Sequence, residues 1–262
     1  MDDFIIYLTL GAVVGVVAGL LGVGGGLIIV PVLIVLFKYQ GMSQDILVHL
    51  AIGTSLATII ITSLSSIRAH HQLGAVLWPV FLKLVPGIIC GALIGAYGAQ
   101  LLKSDILRTV FGVFEFYVAT QMSLNIKPKP HRKLPSTGGM FFSGNIIGGV
   151  SSLVGIGGGT LTVPFLVWCN INMRQAVATS AACGFPIAIA GSIGFIIMGW
   201  NETTLPQYSS GYVYWPAFMG IIITSVLTAP LGAKWAHQLP TDKLKKIFAV
   251  LLYLLAAKML FW

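Results

Sequence analysis

Apolar runs of about 20 residues, the length that crosses a hydrocarbon core of about 30 Å, recur along the chain at 46–67, 78–102, 105–125, 174–199, 214–238 and 243–262. Each predicts a membrane helix. Two further runs, 4–37 and 138–169, are too long for one crossing: a single helix would reach about 50 Å at about 1.5 Å per residue. A glycine cluster interrupts each of them near its middle, in GLLGVGGGLIIVPVL from Gly19 and in SLVGIGGGTLTVPFL from Ser152.

The two interrupted runs are copies of one another. Gly22, Gly24, Gly25, Gly26 and Pro31 correspond to Gly155, Gly157, Gly158, Gly159 and Pro164. Further along, Thr54-Ser55 parallels Thr179-Ser180, VLWP at Val76 parallels VYWP at Val213, and SDILRTVF at Ser104 parallels TDKLKKIF at Thr241. The chain therefore reads as an internal duplication, with one membrane repeat over 1–126 and a second over 138–262. Between them, residues 127–137 (KPKPHRKLPST) form a basic, proline-rich linker.

Composition narrows the class. With 56% hydrophobic and 8% charged residues and a mean hydropathy of +0.92, no stretch can form a water-soluble core, so lipid is the expected solvent. The net charge of +8 would suggest nucleic acid in a soluble protein, but the basic residues sit mostly between apolar runs, where they set orientation; a nucleic-acid partner is not expected. Cys90, Cys169 and Cys183 are odd in number, lie in or beside apolar segments and lack CxxC spacing, so they read as structural thiols and no metal site or cofactor is expected. Met1-Asp2-Asp3 has neither a basic n-region nor a following small-residue cleavage site, which predicts that the first hydrophobic segment is retained.

Lys and Arg in the loops decide how the interrupted runs cross. If each turns back, the side holding Arg68, residues 127–133, Arg174 and residues 234–246 carries 10 of them against 4; if each crosses once, the split is 8 to 6. The positive-inside rule favours the first. The predicted fold is an all-α polytopic membrane protein of two inverted repeats with glycine-broken helix hairpins, eight to ten membrane elements, a cytoplasmic linker and both chain ends outside.

The two GxGGG segments, each followed by an apolar stretch ending in Pro31 or Pro164, resemble the sulfite exporter TauE/SafE family of membrane transporters, as does the stretch from His71 to Val76. The resemblance spans nearly the whole chain. It implies a multi-pass permease of a bacterial cytoplasmic (inner) membrane, moving sulfite, an organosulfonate such as sulfoacetate, or a related carboxylate. Proton or sodium coupling and a homodimer fit the same picture. Leu77 and Leu73 depart from the family's HxRxGxV surroundings, which points to a difference in substrate or coupling.

The glycines have a physical reading of their own. A helix broken inside a bilayer exposes backbone N–H groups that need a partner, and an anion can serve. Gly24, Gly25 and Gly26, and Gly157, Gly158 and Gly159, carry no side chain to hold a ligand off, and each cluster opens a helix whose N-terminus bears about half a positive charge. Thr54, Ser55, Thr160, Thr179 and Ser180 add hydroxyl donors. The competing reading is that these glycines only permit tight turns and close packing, the role assigned to Gly11, Gly15 and Gly19 and to Gly87, Gly91 and Gly95, which recur every four residues. A dinucleotide fingerprint is excluded by Leu27 and Thr160 where a third glycine is needed, and no Lys-Ser or Lys-Thr follows to make a P-loop.

Ionisable residues inside apolar runs are costly and few. Lys83 lies one turn into its helix and can snorkel. Glu115, in mid-helix, is the candidate for a proton-linked carboxylate, with a structural hydrogen bond as the equal alternative. Arg68, His70 and His71 close the 46–67 helix and could form an entry funnel or a proton relay; anchoring explains Arg68 as well. No Ser-His-Asp order, HExxH or carboxylate pair points to an enzyme. The reading is a secondary transporter working by alternating access with substrate near the midplane; the alternative is a passive anion channel.

Overall fold

The computed structural model describes residues 2–21, 25–124, 132–236 and 241–261, with side chains at 2, 3, 19–21, 230, 232–236 and 241–245 left aside. Gly22, Gly24 and most of the basic linker, including Lys127, Lys129 and His131, lie outside the described residues.

The protein is all-α, with ten helices among the described residues: α1 (Asp2–Leu21), α2 (Gly26–Tyr39), α3 (Leu47–Gln72), α4 (Trp78–Gln100), α5 (Ser104–Ser123), α6 (Thr137–Val154), α7 (Gly159–Trp168), α8 (Met173–Met198), α9 (Trp215–Ala236) and α10 (Thr241–Phe261). Strands β1 (Ser209–Ser210) and β2 (Val213–Tyr214) form a small antiparallel hairpin ahead of α9. By length and apolar composition α3, α4 and α8 can each cross a membrane, and exposed Leu, Ile, Val and Phe cover the outward faces of the bundle, as lipid contact requires.

Both interrupted runs turn back. The Tyr7 hydroxyl, near the start of α1, donates to Gln40 Oε1, just past the end of α2, at 2.7 Å, and the Tyr7 and Phe37 rings meet edge-on. At the second run, the Arg132 amide before α6 donates to the Trp168 carbonyl at the end of α7 at 3.2 Å, and the Arg132 guanidinium lies 4.9 Å over the Trp168 ring. Each pair is thus a hairpin whose two ends lie together. Left-handed glycines make the bends: Gly25 (φ 78°) precedes α2 and Gly155 (φ 74°) ends α6, a conformation that L side chains rarely adopt. Pro31 and Pro164, each the sixth residue of its short helix, withhold the amides that would bond the carbonyls of Leu27 and Thr160.

The long-range packing pairs elements across the two halves. α1 packs on α9 and α4 on α6, while α3 pairs with α8 and α5 with α10. The first two pairs run parallel. Gly11 and Gly15 stand against Ile221, Thr224, Ser225 and Thr228 of α9; Gly87, Gly91 and Gly95 stand against Phe141, Asn145 and Gly149 of α6. The Thr224 and Thr228 hydroxyls donate to the carbonyls of Leu8 (2.7 Å) and Ala12 (2.9 Å). Expected packing roles for these glycines are therefore found; the surroundings of Gly19 fall outside the description. The other two pairs run antiparallel, with Leu56 beside Gly191 and Ser63 beside Gly184, and with Tyr253 bonded to Thr120 while Met259 and Leu260 cover Gly112.

Candidate functional site

The hairpin bends meet. A Cβ placed on Gly26 would stand 2.6 Å from the Gly155 carbonyl oxygen and 3.0 Å from Ile156 Cα, so the N-terminus of α2 lies directly on the bend between α6 and α7. Ser55 on α3 fastens the junction by donating to the Gly155 carbonyl at 2.9 Å. Ile52 and Ile59, one turn either side of Ser55, touch Gly155 and Gly26. On α8, the Ser180 carbonyl and the Gly184 amide lie 3.1 and 3.2 Å from where a Gly158 side chain would begin. Gly25, Gly26, Gly157, Gly158, Ser55 and Ser180 are all buried, while Gly159 and Thr160 are half-buried.

Helix geometry sets the electrostatics. In the first turn of α2 the amides of Ile28 and Ile29 both point to the Gly25 carbonyl (3.0 and 3.1 Å), and in α7 the Thr162 amide bonds Gly158 (2.9 Å). The first amides of any helix have no intrahelical carbonyl to bond, which puts positive partial charge at the starts of α2 and α7.

Thr54 and Thr179, at corresponding places in the sequence, share an unforeseen kind of partner. The Thr54 hydroxyl oxygen accepts from the Tyr214 amide at 3.0 Å, and the Thr179 hydroxyl oxygen accepts from the Leu77 amide at 3.0 Å. Tyr214 and Leu77 hold the same position in the two VxWP stretches. Each threonine therefore caps the fourth helix of the opposite half, through oxygen lone pairs that leave its own proton for a second partner.

The segments flanking the second bend, and α8 beside them, carry hydroxyls that sequence reading passed over. Ser151, Ser152, Thr162 and Ser192 are buried, and their oxygens, like that of Thr160, have no hydrogen-bond partner among the described residues. Ser152 Oγ lies 2.9 Å from the point where a Gly191 side chain would start. At the places of Ser151, Ser152, Thr160 and Thr162 the first half carries Ala18, Gly19, Leu27 and Ile29. The signal was available as this contrast between aligned halves.

The remaining candidates are not brought to the bends. Arg68 and His71 are exposed and His70 is half-buried at the far end of α3, about 20 Å along the axis from Ser55. His71 Nδ1 there accepts from Trp78 Nε1 at 3.3 Å. Glu115 is fully buried on α5, in line with Leu107, Phe111 and Val118, and neither carboxylate oxygen has a hydrogen-bond partner among the described residues.

A family model described as "Sulfite exporter TauE/SafE" matches residues 7–259. The chain belongs to this family. It is 41% identical to a Haemophilus influenzae protein named probable membrane transporter protein, over 96% of each chain. It is 30% identical to the Bacillus subtilis probable membrane transporter protein YunE over 99% of this chain and 98% of that one, and 27% identical to a Methanocaldococcus jannaschii relative of the same description over 95% and 92%. No solved structure matches.

Proposed function

We propose that this TauE/SafE-family protein is a secondary transporter that carries a small anion: sulfite, an organosulfonate or a related carboxylate. The observation that carries this reading is the meeting of the two bends, Gly26 against Gly155 with Ser55 between them. Two helix N-termini, main-chain amides and hydroxyls then converge on one buried place, which suits an anion that has to be released again better than a fixed buried cation would.

The two halves act as inverted repeats in this reading. A two-fold axis in the membrane plane requires that helices paired with their own counterparts run antiparallel, as α3 with α8 and α5 with α10 do. It also requires that the exchanged pairs α1 with α9 and α4 with α6 be alike. The hydroxyl-rich second bend receives the sulfonate or carboxylate oxygens and the apolar first bend receives the carbon stem. Glu115 is the carboxylate available for coupling. The Arg132 end faces the cytoplasm of a bacterial cell, in keeping with the excess of Lys and Arg there.

Reconstituted protein should give saturable uptake of sulfite, short sulfonates or small carboxylates driven by an ion gradient. Uncoupled conduction at channel rates would establish a passive pore instead.

A further inference from the structure

His49, a residue inside the 46–67 apolar run, sits in a hydrogen-bonded joint that the transport site does not use. It lies two residues into α3 and is 4% exposed. Its Nε2 is 2.9 Å from the Ala99 carbonyl at the end of α4, and its Nδ1 is 3.3 Å from Ser104 Oγ at the start of α5. Ser104 Oγ also lies 2.6 Å from the Asp45 carbonyl, in the α2–α3 connection. The ring lies tilted against that of Tyr212, between the two hairpin strands, with centroids 5.1 Å apart.

Counting protons over these contacts ties their number to the state of the ring. Carbonyl oxygens only accept, so Nε2 carries hydrogen toward Ala99 and Ser104 spends its single hydroxyl hydrogen on Asp45. The contact between Nδ1 and Ser104 Oγ then has a hydrogen only if Nδ1 carries one too, which makes the ring an imidazolium. A neutral ring sacrifices one contact: either Nδ1 and Oγ meet lone pair to lone pair, or the hydroxyl turns to Nδ1 and the Asp45 carbonyl loses that donor.

We propose that His49 is a proton-binding site, and that a proton on its ring fastens the start of α3 to the α4–α5 link at the end of the molecule marked by Gln40. Acceptor oxygens face the ring. These are the carbonyls of Ala99 and Leu102 and the carboxylate of Glu202, which acts across space and is itself held by the Thr204 hydroxyl at 2.8 Å. Other titratable groups at this end are Asp45, Lys103, Tyr212, Lys38 and Tyr39, and Asp105, which pairs with Arg108 at 3.4 Å. Histidine is the side chain that ordinarily changes charge between about pH 5 and 8. A role for this joint in transport rests on the function proposed above; the proton site does not.

Nitrogen-15 spectra of histidine-labelled protein in lipid nanodiscs, without any anion, test the site, with His49 assigned by the signal lost in His49→Gln. The expected result is a ring protonated on both nitrogens at acid pH that becomes a single Nε2–H tautomer as pH rises between about 5 and 8. Ser104→Ala removes the Nδ1 acceptor and should weaken proton affinity about tenfold, the scale of one hydrogen bond to a charged group. A ring that stays neutral throughout that range, or a Ser104→Ala midpoint equal to wild type, overturns the proposal. Absence of anion flux would count against the transport reading and leave this result standing.

Discussion

The Tyr214 amide donates to the Thr54 hydroxyl at 3.0 Å, joining residues 160 positions apart, and the Leu77 amide makes the same bond to Thr179. A buried amide without a partner costs about 1–3 kcal/mol. Thr54→Val and Thr179→Val, close in shape but without the hydroxyl, should each lower stability by about that amount, while Thr54→Ser and Thr179→Ser retain most of it. Thermal unfolding in detergent reads both; equal melting for the Val and Ser variants would show that the bond contributes nothing.

Gly25 and Gly158 should respond differently to alanine. Gly25 has φ 78° and only 2.6 Å between a new Cβ and Val14 Cγ1, so Gly25→Ala strains the bend and costs about 1–2 kcal/mol or more. Gly158 has φ −62° and neighbours at 3.1–3.3 Å. Gly158→Ala should keep the fold and weaken anion binding at least tenfold, measured as loss of the ligand-induced thermal shift. Unchanged affinity in Gly158→Ala would remove that glycine from the site.

Thr162→Val and Ser152→Ala should separate stability from binding. Each deletes a buried hydroxyl without a partner among the described residues, so the unliganded protein should be as stable as wild type or more so, because an unpaired polar group is removed. Affinity for a sulfonate should fall by about 1 kcal/mol for each lost hydrogen bond. A loss of stability with no change in affinity would mean that these hydroxyls serve the fold alone.

Glycines in the stripes predict the opposite pattern from an open one. Gly91→Leu would drive a side chain into the Asn145 backbone and should abolish correctly packed protein. Gly98, on the same helix, has nothing within 4 Å, and Gly98→Ala should stabilise by about 0.5–1 kcal/mol through helix propensity. Yield of monodisperse protein and melting temperature check the pair.

Much of the architecture was legible in the sequence because it follows from local rules. Glycine clusters inside overlong apolar runs announced the bends, and four-residue glycine spacing at Gly11 and Gly91 announced close helix contact. Thr54 and Thr179 were recognisable as a matched pair, yet their role depended on which backbone amide the other half brings within 3.0 Å, and no local pattern encodes that. His49 was hidden for the same reason: one histidine among apolar residues looks like core until Ala99 and Ser104 are seen around it. Arg68, His70 and His71 attracted notice as charged residues at a helix end, and position alone could not tell that they sit about four turns from Ser55.

The reciprocal threonine bonds lie toward opposite ends of the molecule, since Tyr214 packs with Tyr7 and Phe37 beside Gln40, whereas Leu77 follows His71 at the other extremity. They behave as two latches of one chemistry. In the alternating-access cycle proposed above, a rocking motion that parts one corner would break a single bond and keep its twin closed, so this hydrogen bond would favour neither direction of opening, and any bias toward one face would have to come from the parts in which the two halves differ.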